Sequence, residues 1–459
     1  MKSIPDIVLD QNAFFLSQKT KDIQYRLSLL KALKSEILKK EQEILDALNT
    51  DFKKSEFESY ISEFALVISE LNLAIKHIKN WAKPKRVSAS LLTFPSKDYI
   101  YKEPYGTVLI IAPWNYPFLL ALEPLIMAIA AGNTVVLKPS ELTQNTSNIL
   151  TQIIKNVFPE PVAVSVEGGV ETATELLAQK WDYIFFTGST KVGKIVAEAA
   201  AKQLTPITLE LGGKSPCIID HTNNIELVAR RLVWGKLFNG GQTCIAPDYL
   251  IVNSNIKDEL VNSIIKEITR RYGKHPKTSN DFPRIINKKN VKRLKALLNN
   301  ETIIYGGDVD EVENYISPTL VDAPKLNSKL MQEEIFGPIL PVLTYENEAD
   351  IETIIRNLDK PLSFYIFSNN KHFIEKTIQK YRFGGGVIND VLVHFGNPKL
   401  PFGGIGTSGM GNYHGKHGFD AFSHKKSIMK RGTWLDIPMR YAPYKKKLNL
   451  LRKVFKYLG

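Results

Sequence analysis

The feature that most constrains the fold is an alternation of short, fully apolar runs with amphipathic stretches along the middle of the chain. The runs VLII (108–111), TVVL (134–137), VAVSV (162–166), YIFF (183–186) and ITLEL (207–211) have almost no polar face. A strand that is apolar on both sides has to be covered on both sides, which a parallel sheet achieves through right-handed helical crossovers. Helical periodicity fills the gaps near 118–131, 144–157, 171–179 and 190–203. Residues 104–211 are therefore expected to form a doubly wound domain of the nucleotide-binding type. A second alternation follows, with strands at CIID (217–220), YLIV (249–252), FYIF (364–367) and GVIN (386–389) and helices near 224–238 and 257–271. Before both, residues 9–82 carry the charged, three-and-four-residue periodicity of two or three amphipathic helices. From Pro84 to Pro104 the texture changes to short extended pieces, an arm outside a core.

Composition agrees with this outline. A chain of 459 residues has room for two or three domains. Two cysteines cannot form a disulfide framework, and the opening MKSIPDIVLD lacks the apolar core of a secretory signal, so a reducing cytoplasm is the expected compartment. No residue between Glu103 and Glu123 is charged, but Pro104, Gly106, Pro113, Asn115 and Pro117 interrupt that stretch, which excludes a continuous membrane helix. The formal charge of +13 would suggest a polyanionic partner if it were spread over the molecule. It is not: residues 425–459 hold eleven Lys/Arg against the single acid Asp436. The body is close to neutral and the tail explains the charge.

Several unusual loops fall just after expected strands, where open α/β sheets bind ligands. Residues Ile111-Ala112-Pro113-Trp114-Asn115-Tyr116-Pro117 hold an amide between two prolines, as a fixed hydrogen-bond donor or as an ordinary turn. Lys138 and Glu141, in Lys138-Pro139-Ser140-Glu141, suit ribose hydroxyls or a helix cap equally. Phe186-Thr187-Gly188-Ser189-Thr190 opens onto a helix whose first N–H groups can face a pyrophosphate. The literal G-x-G-x-x-G at Gly404–Gly409 follows Pro401 rather than a strand and is discounted as a nucleotide signature. Glu210 interrupts an apolar strand, and a buried carboxylate has the raised pKa of a general base. Cys244 follows a Gly-Gly turn in a polar loop, as a nucleophile would, whereas Cys217 lies inside an apolar strand as inert core. His414, His417 and His424 lack the acids or cysteines a metal site needs, so no metal is expected.

Taken in order, PWNYP, KPSELT, FTGSTKVG, LELGGKSP, GGQTC, EEIFGP and PFGGIGTSGMG resemble the NAD(P)-dependent aldehyde dehydrogenase superfamily over residues 10 to 430, with Cys244 placed 34 positions after Glu210. GMGNYHGKHGFDAFSH at 409–424 looks most like the class 3 branch, commonly dimers acting on fatty and aromatic aldehydes. The resemblance implies an α/β fold. A Rossmann-type cofactor domain would comprise residues 1–83 and 104–209, and an α/β catalytic domain residues 210–390. A small β bridging and oligomerisation arm would comprise 84–103 and 391–430, followed by a basic amphipathic tail at 431–459.

The same resemblance implies the chemistry. Cys244 would attack the aldehyde, Asn115 and the Cys244 N–H would hold the oxyanion, and Glu210 would activate the water that hydrolyses the thioester. Gly188 and Ser189 would face the pyrophosphate, Lys138 and Glu141 the adenosine ribose, and Glu333 and Phe336 the nicotinamide ribose. NAD is the expected cofactor because Glu141 repels a 2′-phosphate, although the class 3 branch accepts NADP as well. The substrate would be a fatty, aromatic or polyisoprenoid aldehyde. Two other readings compete: a CoA-acylating dehydrogenase, which usually lacks the Glu at 210, and a non-catalytic member, which has no need of Cys244, Glu210 and Asn115 together. In the tail, KKKLNLLRKVFKYL (445–458) places Leu448, Leu451, Val454, Phe455 and Leu458 on one helical face. It suits packing on a dimer partner, a cover over the substrate entrance, or an anionic membrane surface, which would make the protein peripheral at the inner face of the membrane. No nucleic-acid module accompanies its charge.

Overall fold

The computed structural model describes residues 2–90, 93–445 and 447–458. Lys446 lies outside the described residues, as do the side chains of Val454 and Leu458 from the tail's apolar face. The chain divides into two compact units, one of residues 1–81 and 104–424, the other of residues 82–103 and 425–459.

In the larger unit the apolar runs form a six-stranded sheet. Its order is Gly409–Met410, Ile207–Glu210, Tyr183–Thr187, Thr107–Ile111, Thr134–Lys138 and Ala163–Ser165. The five longer-range strands pair in parallel, and Gly409–Met410 joins antiparallel at the edge beside Glu210. Numbered along the chain, the parallel strands run 3-2-1-4-5, the doubly wound order. Its ligand crevice opens where the order reverses, between Thr107–Ile111 and Tyr183–Thr187. Helix Leu119–Ala131 is buried along its whole length and is apolar except at Glu123, which accounts for the uncharged stretch between Glu103 and Glu123. No described helix is long and apolar enough to cross a membrane.

A seven-stranded sheet follows in the order Thr302–Tyr305, Thr319–Asp322, Ile339–Tyr345, Tyr249–Asn253, Pro216–Ile219, Ser363–Phe367 and Gly385–Ile388. Only Thr302–Tyr305 is antiparallel to its neighbour. Cys217 lies inside this sheet with no exposure, paired in register with Leu250 and Tyr365.

The N-terminal region holds more helices than its periodicity indicates: Ile4–Leu16, Ile23–Lys39, Glu41–Phe52 and a continuous run from Glu56 to Trp81. Local signals divide them. The Asp22 side chain caps the second helix, Lys53 ends the third in the left-handed conformation, and Ser55 caps the run that follows. The last helix contains a π turn at Tyr60–Phe64.

The smaller unit contains a three-stranded sheet in which Ser96–Pro104 lies between Lys85–Val87 and Ser423–Arg431, and the basic helix Lys447–Leu458. The smaller unit takes in residues 82–103, the extended stretch read from the sequence. Residues 391–424 belong to the larger unit, where Tyr413, Phe419 and Phe422 are buried among Phe185, Tyr183 and Trp81.

The glycine-rich segment rejected as a nucleotide signature has a structural explanation. Gly409 stands opposite Glu210 with φ +155, and a Cβ there would overlap the Leu209 carbonyl oxygen. Gly409→Ala is expected to destabilise the fold by about 1–3 kcal/mol, the cost of a strained backbone position. Equilibrium denaturation checks this, and an unchanged midpoint would refute it.

Candidate active site

The loop after Thr107–Ile111 is tied to the loop that carries Cys244. The Asn115 Nδ2 donates to the Gln242 carbonyl at 3.1 Å, and the Asn239 Nδ2 donates to the Asn115 carbonyl at 2.8 Å. The Tyr116 hydroxyl and Thr243 Oγ1 are 2.6 Å apart. Asn239 and Gly240 both take positive φ, so the Gly-Gly turn reverses the chain tightly before the cysteine. Gln242 locks the turn from behind, with Nε2 donating to the Asn239 and Arg284 carbonyls and Oε1 accepting from the Ile286 N–H.

Cys244 is partly exposed at the end of this turn, in contrast to Cys217. Burial of its sulfur pushes the thiol well above its usual pKa, with the carboxyls of Glu334 and Glu210 adding to the shift and the Ile245 N–H opposing it. Glu210 is 3% exposed, and neither carboxylate oxygen has a hydrogen-bond partner. Burial raises its pKa well above the carboxylate range. Its backbone is held on both sides, its carbonyl accepting from the Gly188 N–H at 3.0 Å and its residue pairing with Gly409. The backbone is fixed while the acid is left unsatisfied, as expected of a group whose partner is a reactant.

The cofactor-side residues line the carboxyl ends of the same strands. The Lys138 side chain is buried and its Nζ lies 3.0 Å from Glu141 Oε2, on an exposed carboxylate. Gly188 ends its strand, and Ser189 caps the twelve-residue helix Thr190–Ala201, accepting from the Val192 N–H. A Cβ on Gly188 would overlap the Phe186 ring, so this strand end is bare backbone facing a helix N-terminus, which suits a pyrophosphate. Phe336, at φ +52, meets Trp114 edge to face at 5.2 Å.

Of the adjacent pair, Glu333 is exposed, whereas Glu334 turns inward, where its charge raises the Cys244 thiol. Glu334 lies over the Cα of Gly212, where a Cβ would overlap its carboxylate. Burial and the nearby Asp248 push it up to about 8, partly offset by the Gly213 N–H. Sequence reasoning missed it because two adjacent glutamates are indistinguishable by spacing; the bare Gly212-Gly213 pair was the available signal. The loop is clamped from behind by a buried ion pair. The Lys214 Nζ lies 2.5 Å from Asp248 Oδ2 and donates to the Leu330 and Glu333 carbonyls, while Asp248 Oδ1 accepts from the Ile335 N–H.

His414 is buried against the rings of Phe395, Phe402 and Tyr413, with Nε2 at 3.3 Å from Glu123 Oε1. Among the described residues, no group of three His, Cys, Asp or Glu side chains could hold a metal ion.

A partly exposed cysteine, a buried carboxylate without a partner and a fixed amide lie together at the carboxyl ends of the strands of a doubly wound sheet. The aldehyde dehydrogenase family model matches residues 10–428. The chain is 48% identical to the 4,4'-diaponeurosporen-aldehyde dehydrogenase of Staphylococcus aureus, over 99% of this chain and 100% of that one. It is 44% identical to aldehyde dehydrogenase family 3 member A2 of Pongo abelii, over 94% of this chain and 89% of the relative. The solved substrate-bound state of Staphylococcus aureus AldH superposes with a TM-score of 0.96 at 47% identity, covering 99% of this chain and 100% of that structure. The chain belongs to the aldehyde dehydrogenase family, in the class 3 branch, and its activity is the NAD(P)-dependent oxidation of an aldehyde.

The electrostatics give a direct test. Iodoacetamide should alkylate Cys244 and spare Cys217, faster as pH rises because the thiol is held above its ordinary pKa. Glu334→Gln removes a negative charge that raises that pKa. It should therefore speed alkylation about two- to tenfold at about pH 9, where Glu334 is largely ionised. Peptide mapping and a rate measurement check both; an unchanged rate would show that Glu334 does not act on the thiol.

Proposed function

We propose that the chain oxidises an extended hydrophobic aldehyde to its carboxylic acid, with Cys244 as nucleophile, Asn115 as oxyanion donor and Glu210 as base. Glu210 carries the reading: a buried carboxylate with no partner, within electrostatic reach of the only partly exposed cysteine. The Cys244 sulfur bonds to the aldehyde carbon, and its proton is given up to the raised-pKa carboxylate. The carbonyl electron pair moves onto oxygen, where the Asn115 Nδ2 and the Cys244 N–H receive it. One N–H of Asn115 is occupied by Gln242, which fixes the amide plane and leaves the second for substrate. A dinucleotide held in the crevice would supply the two-electron acceptor for the hydride on the thiohemiacetal carbon, leaving a thioester on Cys244. Glu210, after passing the thiol proton to solvent, takes a proton from water as its oxygen attacks the acyl carbon; the C–S bond breaks, Glu210 returns that proton to the leaving sulfur, and the acid is released.

Gly188 and Ser189 at the helix N-terminus hold the pyrophosphate in this reading, with Lys138 and Glu141 at the adenosine ribose. Glu141 favours NAD over NADP through repulsion of a 2′-phosphate. Phe336 and Glu334, rather than Glu333, face the nicotinamide side. The substrate class is supported by the high identity to a relative named for 4,4'-diaponeurosporen-aldehyde. A lipid surface is the proposed partner of the tail, where Trp434, Tyr444, Leu448, Leu451 and Phe455 are exposed among basic residues. A homodimer, which the class 3 likeness implies, completes the proposal.

Cys244→Ala should abolish turnover. Glu210→Gln should release about one NADH per site in a burst and then turn over at least about a hundredfold more slowly. In the wild type, turnover should rise with pH above the ordinary carboxylate range as Glu210, its pKa raised by burial, loses its proton, and Glu210→Gln should lose that rise. Full steady-state rates in either variant would refute its assignment. A panel of aldehydes of increasing chain length tests the substrate. The full chain should co-sediment with phosphatidylglycerol vesicles and a chain ending at residue 436 should not; equal binding by both would remove the tail from the proposal.

A further inference from the structure

Three charged side chains, Lys54 from the link between the third and fourth N-terminal helices and Glu58 and Glu63 from the start of the fourth, are buried against the two loops described above. The Lys54 Nζ and Glu63 Oε1 are 2.8 Å apart with both side chains at 0% exposure. Glu63 Oε2 accepts from the N–H groups of Phe118 and Leu119, at 2.9 and 3.2 Å. These are the first free donors of helix Leu119–Ala131, which has no side-chain cap of its own, and they follow Asn115 by three and four residues. The Lys54 Nζ also lies 4.4 Å from the centre of the Tyr116 ring, whose hydroxyl meets Thr243. Glu58 Oε1 accepts from the Asn239 N–H at 2.6 Å, holding the left-handed residue that begins the cysteine turn.

The π turn at Tyr60–Phe64 makes this arrangement possible. It closes i to i+5, with the Ala65 N–H reaching the Tyr60 carbonyl. In a straight α-helix, residues five apart diverge by roughly 140°. The wider turn brings Glu58 and Glu63 toward one side, where one reaches the cysteine loop and the other the asparagine loop.

Stability alone does not account for such a pair. Burying two charges costs about as much as their attraction returns, and an apolar pair of the same volume commonly serves as well. A full charge aimed at two N–H groups does fix the angle at which the chain enters the helix, and with it the Asn115 amide. We propose that Glu63, held by Lys54, is a positioning residue for Asn115, setting the oxyanion donor relative to Cys244 from outside the site. The inference rests on the reading of Asn115 as that donor.

A double-mutant cycle tests it, with decanal and NAD as substrates. Glu63→Gln should lower kcat about tenfold or more with less than about a threefold change in aldehyde KM and in NAD affinity, because the lost contact acts on the transition state. In an Asn115→Ala background the same substitution should change kcat by less than about twofold, since its effect passes through the missing amide. Equal losses in both backgrounds, or wild-type kcat in Glu63→Gln, would overturn the proposal. Full activity in Asn115→Ala alone would instead overturn the donor assignment, a separate result. If Glu63→Gln does not give a cooperative thermal melt, Lys54→Gln takes its place under the same criterion. Failure of both to fold would assign the pair to the fold and equally overturn the positioning role.

Discussion

The constraint on which this molecule turns is an acid with nothing to bond to, placed at the end of a buried strand. A desolvated carboxyl without partners costs on the order of several kcal/mol, and no local contact offsets it at Glu210. The cost has to be carried by the surrounding sheet, and the surrounding sheet is built for it. The Gly188 N–H holds the Glu210 carbonyl, and a two-residue antiparallel strand from almost two hundred residues away closes the free edge. That edge strand can approach because Gly409 has no side chain to meet the Leu209 carbonyl. The backbone of the acid is therefore held on both sides while its two carboxylate oxygens have no partner.

The same division recurs in the cysteine pocket. Asn239, Gln242 and Asn115 bond to one another's backbones and to residues near 284–286, so the loop geometry is over-determined. The titratable groups that face the pocket, by contrast, push one another's pKa values in the same direction. Glu210 and Glu334 raise the Cys244 thiol, and burial raises all three. Each group in such a pocket therefore holds its proton more tightly than it would in water. Rigid polar scaffolding and mutually repelling reactive groups are complementary: without the first, the second would be relieved by movement of the loops rather than by chemistry.

Much of this was legible in the sequence, and the reason is periodicity. Runs such as 108–111 and 183–186 have no polar face, so they can only be inner strands of a covered sheet, and they form one. Cys217 was legible as core for the same reason, lying in such a run. Features set by tertiary approach were not. The edge strand at Gly409 is two residues long and carries no pattern, so the segment 391–424 read as arm although it closes the main sheet. The breaks between the N-terminal helices depend on single capping residues within one long charged texture. Glu333 and Glu334 are equivalent by composition, and only the bare face of Gly212 tells which carboxyl turns inward. Nothing in the helical pattern of residues 9–82 singles out Lys54, Glu58 or Glu63, and the π turn that carries Glu63 has no local signature.

Charge partition separates the tail from all of this. The body is nearly neutral, while residues 425–459 carry a net charge of +10. Attraction between exposed charges is screened within about 8–10 Å at physiological ionic strength, so a charge confined to one segment acts close to that segment. The side chains beside that charge matter as much as its sign. Trp434 is 73% exposed and Phe455 51%, close in sequence to lysines and arginines that keep their heads in water. A surface of this composition gains little from a folded nucleic acid, whose backbone offers charge but no apolar layer. It gains from an anionic lipid face, which offers both. A poorly soluble aldehyde would be concentrated at the same interface, so under the proposed function one short helix would bring the enzyme to its substrate without any contribution from the catalytic sheet.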